Sequence, residues 1–367
     1  MKVLVIGRST RNIVCSAKRA GYSVFALDGF GDIDMVRCAA KSHVFGEVSD
    51  SELYGLAAAF GEVDAVILGA GFEKLEFGNI LNNTRKTIDK VGNKLKISKK
   101  FNLMGIPHPE TAPMHKVSGL SFPLMVKPIS GAGGILNTIV KNEDELNLFL
   151  ERKDAGDFMA QEFVTGIPCS ASLIGNGDEA VVLALNEQMI GMHCLTRMQF
   201  AYCGNITPFN SGYGNKMREY AEKIAGEIGL IGSNGVDFIL TEAGPVVIEV
   251  NARFQGSMDT VELATGINIF HAHVQSFEGV LPEPLAPSCF AARSIVFADR
   301  KTVIDSRISG ILEKYMNQGR AADVPQPGSV VEPDGPVTSL IETGKTRADV
   351  FKKIKTSSYH VKGLTQD

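Results

Sequence analysis

The sequence of 367 residues contains no tryptophan, no long hydrophobic run and little net charge. Its N-terminal apolar run covers only residues 3–6, and no run reaches the roughly 18 residues that a membrane span needs. A formal net charge of −4 provides no basic field that would attract nucleic acid or anionic lipid. We therefore expect a cytoplasmic protein without a nucleic-acid partner and without a membrane partner.

Closely spaced cysteine pairs are missing as well. No CxxC motif occurs, so the sequence indicates neither a zinc site nor a disulfide framework. We expect all six cysteines to be reduced thiols. They are Cys15, Cys38, Cys169, Cys194, Cys203 and Cys289.

The N-terminal region alternates short apolar runs with segments of helical spacing. Runs over residues 3–6, 24–27 and 63–68 are typical of buried strands. Strands that alternate with helices predict a parallel α/β domain.

The first strand-to-helix turn lacks the glycines of a dinucleotide-binding loop. Ser9 and Asn12 occupy the second and third glycine positions, so the backbone cannot approach a pyrophosphate closely. This argues against a nicotinamide oxidoreductase. Ser9 and Arg11 at this turn are instead candidates for binding a substrate carboxylate.

A predicted hairpin over residues 234–253 combines apolar strands with four polar side chains. Glu249, Asn251 and Arg253 are spaced by two and share one face of their strand. Asp237 joins that face if the connecting loop has three or five residues. Carboxylates that face each other in an apolar sheet repel unless a cation lies between them, and oxygen ligands favour Mg²⁺. The alternative is a surface hairpin with ordinary salt bridges.

A lysine and a loop of small residues form the second signal. Lys127 lies in an apolar strand, where a buried ammonium group needs a partner. Residues 130–134 (Ser-Gly-Ala-Gly-Gly) follow it, and their backbone N–H groups can surround a phosphate. The loop is not a Walker A motif, because the lysine precedes the glycines. A plain turn is the alternative.

Lys94 and Lys99 lie on a predicted helix over residues 93–104. Five residues apart, they do not share a helix face, so at most one of them points into a site. The sequence by itself favours a solvated basic face along residues 90–100.

Taken in order, these segments resemble the ATP-grasp superfamily, in particular its predicted ATP-dependent carboligase branch related to biotin carboxylase. The resemblance covers residues 90 to about 275. It rests on Asn93-Lys94 before a helix that ends at Met104-Gly-Ile-Pro, on Pro123-Leu-Met-Val-Lys-Pro with the loop over residues 130–134, on Gln161-Glu-Phe-Val-Thr-Gly, on Gly235-Val-Asp-Phe, and on Val247-Ile-Glu-Val-Asn-Ala-Arg-Phe.

The resemblance implies a mixed fold of α/β and α+β parts. A parallel α/β pre-ATP-grasp domain would cover residues 1–90. An ATP-grasp fold of two α+β subdomains would cover residues 91–280, with a lid at about 120–186. A small β-rich part would cover residues 281–367.

The resemblance also implies site residues. Asp237, Glu249 and Asn251 would hold two Mg²⁺ ions, with Mn²⁺ as an alternative, and Arg253 would steady the transferred phosphate. ATP would be bound by two lysines, the small-residue loop and a hinge: Lys94, Lys127, Ser130, Gly131, Gly133, Gly134, Gln161, Glu162, Phe163 and Val164. One departure is that Gly166 is followed by Ile167, where many members have a glutamate for the ribose.

The implied activity is ligation of a carboxylate to an amine through an acyl phosphate, with small-molecule substrates and a homodimer as an option. Glu262 lies in a segment similar to one that supplies a catalytic base in carboxylases. A bicarbonate-dependent carboxylase that forms carboxyphosphate therefore stays open, as does a non-catalytic ATP-binding module. Further candidates for the substrate site are His193, Arg197, Tyr202 and Asn205.

Overall fold

The computed structural model of the chain describes residues 1–130, 134 and 136–366. It begins with a parallel four-stranded sheet of order β3-β2-β1-β4. Its strands are β1 (Lys2–Gly7), β2 (Ser23–Asp28), β3 (Lys41–Val44) and β4 (Ala65–Leu68). The helices between them are α1 (Arg11–Arg19), α2 (Ile33–Cys38) and α3 (Asp50–Ala58).

The alternating side chains of β1 show why this region folds as a layered sheet. Leu4 and Ile6 pack on the side that carries α3, whereas Val3 and Val5 pack on the side that carries α1. Both faces of β1 are buried, as its continuous apolar run predicts. The edge strand β3 is mostly exposed and polar, so no apolar run marked it in the sequence.

The expectation that every cysteine is reduced is wrong for one pair. Cys15 of α1 is bonded to Cys38 at the end of α2, with the two Cα atoms 5.1 Å apart. A separation of 23 residues gave no local signal, because the fold brings the two helices together. The other cysteines are free thiols.

Two helices lead from this sheet to a small antiparallel sheet. They are α4 (Arg85–Gly92) and α5 (Lys94–Met104). Helix α5 ends at Gly105 in a left-handed conformation with φ of 66°, as the Gly-Ile-Pro sequence predicts. The small sheet has the order β5-β8-β6-β7, and α6 (Glu143–Leu150) follows its edge strand. Its strands are β5 (Thr111–Pro113), β6 (Leu124–Pro128), β7 (Thr138–Val140) and β8 (Phe158–Glu162).

An eight-stranded sheet forms the rest of the molecule, with the order β13-β12-β9-β10-β11-β14-β18-β16. Its strands are β9 (Ile167–Asn176), β10 (Ala180–Ile190), β11 (Tyr202–Thr207), β12 (Ile231–Thr241), β13 (Gly244–Asn251), β14 (Phe290–Phe297), β16 (Ala321–Ala322) and β18 (Pro336–Gly344). Strands β15 (Thr302–Val303) and β17 (Val330–Val331) pair separately. The helices are α7 (Gly214–Ile228), α8 (Met258–Thr265), α9 (Ile269–Ser276), α10 (Ser306–Asn317) and α11 (Arg347–Gln366).

The predicted fold class is confirmed: a parallel α/β region precedes antiparallel sheets with helices. Strands β9 and most of β10 fall within the expected lid range of about 120–186, but they belong to the large sheet. The C-terminal strands β14, β16 and β18 continue the same sheet. The division into domains at residues 90 and 280 stays a prediction.

Candidate active site

A cleft of about 1240 Å³ lies where the three sheets meet. One wall, which we call the N-terminal wall, follows the carboxyl ends of β1, β2 and β4. This is the edge at which open parallel sheets place ligands. The opposite walls come from the small sheet and from the β12–β13 hairpin. The N-terminal wall comprises Arg8, Ser9, Asn12, Gly29, Phe30, Asp32 and Ala70.

The hairpin brings two carboxylates face to face. Asp237 of β12 pairs directly with Glu249 of β13. Strands β12 and β13 are joined by a tight two-residue turn, so the condition of three or five loop residues is not met. A bulge between Asp237 and Phe238 shifts the register instead and places both carboxylates on the same face.

Asp237 is held by two amide side chains. Asn251 Nδ2 donates to Asp237 Oδ2 at 2.9 Å, and Gln188 Nε2 donates to Oδ1 at 3.0 Å. Burial, and then the charge of Glu249, raises the pKa of Asp237 to about 7. Gln188 lies on β10, remote in sequence from the hairpin, and no motif pointed to it.

Two lysines approach the carboxylates from other elements. Lys94 Nζ, at the start of α5, lies 3.9 Å from Glu249 Oε2. Lys127 on β6 is 5% exposed, and burial lowers its pKa to about 8 although Glu249 raises it. Lys99 is exposed. The solvated basic face that the sequence favoured is therefore wrong for Lys94.

The oxygen atoms of the hairpin fit a magnesium ion. Asn251 is tied to Asp237 through its Nδ2, which leaves its Oδ1 as a ligand atom next to two carboxylates. Within residues 1–130, 134 and 136–366, no group of three His, Cys, Asp or Glu side chains could enclose a metal. Mg²⁺ suits such an open set, because it normally keeps water and phosphate oxygens as ligands.

The hinge after β8 lines the cleft with all four predicted residues, Gln161, Glu162, Phe163 and Val164. The N–H groups of Glu162 and Phe163 are already used, since they donate to Glu110 O and Pro123 O at 3.0 and 2.9 Å. Gln161 Nε2 donates to Thr111 Oγ1. Of the four hinge residues, these contacts leave the backbone N–H of Val164 for a ligand.

The small-residue loop is described only in part. Gly134 lines the cleft with φ of 71°, and a Cβ there would lie 2.5 Å from Phe200 O, so only glycine fits. Ser130 is exposed. The predicted phosphate contacts of Gly131 and Gly133 lie outside the described residues.

Arg253 lines the cleft beyond the hairpin. Its Nε lies 3.0 Å from Glu73 Oε1, in the segment between β4 and α4. This ion pair fixes the guanidinium group between the hairpin and the N-terminal wall. Its predicted contact with a transferred phosphate stays a prediction.

The structure contradicts the catalytic role expected for Glu262. Its carboxylate accepts hydrogen bonds from Ser16 Oγ at 2.5 Å and from the Ile269 N–H at 2.8 Å, and it pairs with Arg19. These contacts fix α8 against α1, and Glu262 does not line the cleft. The sequence could not reveal this, because the helical spacing of Glu262 is the same whether its side chain contacts another helix or a substrate.

Arg11 also binds other side chains of the protein, and not a substrate carboxylate as the sequence suggested. Its guanidinium donates to both oxygens of Asp259, at 2.5 and 2.7 Å, and to Asp323 Oδ1 at 2.8 Å. Asp323 also pairs with Arg293 at 2.7 Å. Ser9 does line the cleft.

Of the other candidates for the substrate site, Tyr202 lines the cleft and donates to Asn205 at 2.9 Å. His193, Arg197 and Asn205 are not among the lining residues.

With this geometry in place, the chain can be compared with known proteins. A family model described as an ATP-grasp domain matches residues 91–257. This part of the chain is therefore an ATP-grasp domain. The match contains the hinge, the small-residue loop and the hairpin, so the resemblance predicted from the motifs is confirmed.

Full-length likeness extends beyond the ATP-grasp domain. An uncharacterized protein of Methanocaldococcus jannaschii is 25% identical over 362 residues, or 93% of this chain and 88% of that protein. The arginine-specific large chain of carbamoyl phosphate synthase from Bacillus subtilis is 22% identical over 236 residues. This match covers 63% of the chain but only 22% of the synthase.

Among solved structures, the biotin carboxylase domain of 2-oxoglutarate carboxylase from Hydrogenobacter thermophilus has the same fold. It superposes with a TM-score of 0.74 at 17% identity, covering 100% of this chain and 94% of that one. That domain is a dimer in complex with MgADP and bicarbonate. In the present chain, none of the described helices is both long and apolar enough to cross a membrane.

Proposed function

We propose that the protein is an ATP-dependent ligase that activates a carboxylate as an acyl phosphate and joins it to an amine. The observation that supports this most is the convergence of Asp237, Glu249 and Lys127 from two different sheets in one cleft. Similar proteins also support this proposal, since they include a carbamoyl phosphate synthase chain and a carboxylase domain in complex with MgADP. A cytoplasmic location and a homodimer stay predictions.

The nucleotide occupies the side of the cleft formed by the small sheet. Val164 pairs with the adenine through its backbone, because the N–H groups of the two preceding residues are already used. Lys94 and Lys127 bind the phosphates, and Gly134 lines the same cleft. Loss of water around Lys127 strengthens its attraction to a phosphate.

Magnesium, when bound, neutralises charge on the phosphates during transfer. Asp237, Glu249 and the Asn251 Oδ1 would supply its protein ligands. Asp237 has a raised pKa, so a bound cation also relieves the repulsion between the two carboxylates. Gln188 orients Asp237 for this role.

The reaction needs positioning more than acid–base groups. A substrate carboxylate oxygen attacks the γ-phosphorus of ATP, and the bond to ADP breaks. The amine lone pair then attacks the acyl carbon, inorganic phosphate leaves with its bonding electrons, and the amine proton passes to water. Arg253, held by Glu73, steadies the phosphoryl group between the two walls.

A phosphate-release screen tests the reaction. The full chain is assayed with Mg-ATP against a matrix of carboxylates and amines, with bicarbonate among the carboxylates. We expect release that requires both a carboxylate and an amine. Strict dependence on bicarbonate would instead favour the carboxylase, and nucleotide binding without release from any pair would favour the non-catalytic module.

Glu249→Ala tests the site itself. We expect ATP turnover to be abolished while the thermal unfolding midpoint is unchanged, because Glu249 lies on the cleft and not in a hydrophobic core. Glu242→Ala, at the exposed turn of the same hairpin, is the matched control and should behave as wild type. Normal turnover in the Glu249 variant would remove the ligase proposal.

A further inference from the structure

The N-terminal wall contains a buried carboxylate that the proposed reaction does not use. Asp32 lies between β2 and α2, lines the cleft and is only 6% exposed. Its backbone C=O accepts a hydrogen bond of 3.0 Å from the Val36 N–H in the first turn of α2. Its side chain does not cap that helix.

Within the described residues, we find no hydrogen bond or ion pair to the Asp32 carboxylate. Its acidic neighbours differ. Asp28 accepts from the N–H and hydroxyl of Thr10 and from two further N–H groups. Asp34 accepts from the N–H groups of Asp323 and Val324 at 2.8 and 3.1 Å. Among the described residues, no side-chain oxygen is fully enclosed without a hydrogen-bond partner, so the oxygens of Asp32 reach the open cleft, where a ligand can donate hydrogen bonds to them.

The local charge balance favours a cation as that partner. Two buried guanidinium groups, those of Arg11 and Arg293, serve the three carboxylates of Asp34, Asp259 and Asp323. This cluster already has one negative charge in excess before Asp32 is counted. Burial, and then the charges of Asp323, Asp34 and Asp28, raise the pKa of Asp32 to about 8, while Arg11 lowers it.

Neither of the two nearby arginines of this region, Arg8 and Arg11, forms an ion pair with Asp32. Arg8, the basic residue of the N-terminal wall, is exposed, and its guanidinium lies 6.0 Å over the ring of Phe30. The guanidinium group of Arg11 donates its hydrogen bonds to Asp259 and Asp323 and makes none to Asp32. The carboxylate therefore faces the cleft with unused acceptor sites.

We infer that Asp32 binds an ammonium group of the amine substrate and thereby selects amine-bearing compounds. An ammonium group donates three hydrogen bonds and supplies the positive charge that this wall lacks. The position suits a substrate, because Asp32 lines the same cleft as Asp237 and Glu249. The inference rests on the proposed ligase function, since it assigns the second substrate of that reaction.

Binding measurements on the full chain test this site. The probes are α-amino acids, linear diamines and aromatic amines, each paired with its N-acetyl derivative, in the presence of Mg-ADP. KCl and MgCl₂ are included as simple cations. Thermal shifts select the probes, and calorimetry measures their Kd for wild type, Asp32→Asn and Asp50→Asn. Asp50 is an exposed acid of the same region and controls for net charge.

We expect wild type to bind at least one amine and not its acetylated partner. Asp32→Asn should raise the Kd of that amine by about tenfold or more, because a charge-assisted hydrogen bond is lost. Its Kd for Mg-ADP should stay within about twofold, and its unfolding midpoint should equal or exceed that of wild type, since a carboxyl group that is costly to ionise is replaced by a neutral amide of similar size. Asp50→Asn should match wild type.

The inference is overturned if wild type binds no amine of the panel, if the acetylated compounds bind equally well, or if Asp32→Asn keeps its affinity. Binding of K⁺ or Mg²⁺ at Asp32 in place of amines would also overturn it. Failure of the ligase proposal is distinguishable. Amine binding that depends on Asp32, without phosphate release from any carboxylate–amine pair, would leave the ammonium site and reject the reaction.

Discussion

Two groups of charges in this molecule contain residues that are almost fully buried, but the two groups shift the pKa values of those residues in opposite directions. The arginine cluster consists of Arg11, Arg293, Asp259 and Asp323. Burial would raise the pKa of Asp259, but Arg11 outweighs it and leaves this pKa below its ordinary value. The pKa of Arg11 is raised by Asp259 and Asp323 in spite of burial. These four groups are held in their charged forms, whereas burial raises the pKa of Asp34, which lies farther from Arg11 at 3.5 Å.

The hairpin cluster shows the reverse. It consists of Asp237, Glu249, Asn251, Lys94 and Lys127. The pKa of Asp237 is raised to about 7 and that of Lys127 is lowered to about 8, mainly because both are desolvated. Both shifts favour neutral groups. Burial therefore does not identify a functional site; buried charges that lack sufficient partners do, because a ligand can supply them.

The largest effect that would sharpen this contrast is on stability. Arg11→Met leaves the carboxylates of Asp259 and Asp323 short of a partner and should lower the free energy of unfolding by about 3–5 kcal/mol. Lys18→Met is the matched control on the same helix, because Lys18 is exposed and donates to the backbone carbonyl of Arg37, and it should cost less than about 1 kcal/mol. Denaturant unfolding measures both. If Arg11→Met lowered the free energy of unfolding as little as the control does, by less than about 1 kcal/mol, the arginine cluster would not be structural.

An intermediate effect concerns activity without stability. Lys127→Met should lower ATP turnover about a hundredfold, because a charge that stabilises the transferred phosphate is lost. The midpoint of unfolding should not fall, since the variant removes a desolvated ammonium group. Steady-state phosphate release and thermal unfolding are the measurements. Lys141→Met, an exposed lysine at the end of β7, is the control. Loss of stability with intact turnover would break the contrast between the clusters.

The smallest effect is expected at Gln188. Gln188→Ala removes one of the two amides that orient Asp237 and should weaken activation by Mg²⁺ about tenfold. A titration of turnover against Mg²⁺ gives this constant. Gln318→Ala, on the exposed surface after α10, should leave it unchanged. An unchanged constant for Gln188→Ala would show that Asn251 alone orients the carboxylate.

Asp237, Glu249 and Asn251 could be predicted from the sequence, because they lie on two adjacent strands of one hairpin. The pairing of the two strands could not be predicted, since no residue type indicates the bulge next to Asp237. Gln188 was missed because β10 joins the cluster only through the fold.

The N-terminal wall was harder still. Arg11 and Glu262 look like site residues in the sequence, but long-range partners bind them in the structure. Asp32 does not look like a site residue in the sequence, because only the contacts of the described residues reveal that its carboxylate is unpaired. Charge matching between distant segments is a tertiary property, which local patterns do not specify.

The most direct test of the hairpin cluster is a calorimetric titration of ADP with and without Mg²⁺. It compares wild type with the double variant Asp237→Asn, Glu249→Gln, whose side chains keep their size. We predict that Mg²⁺ strengthens ADP binding to wild type and has no such effect on the double variant. Equal strengthening by Mg²⁺ in both proteins would contradict a magnesium–nucleotide site between these two carboxylates.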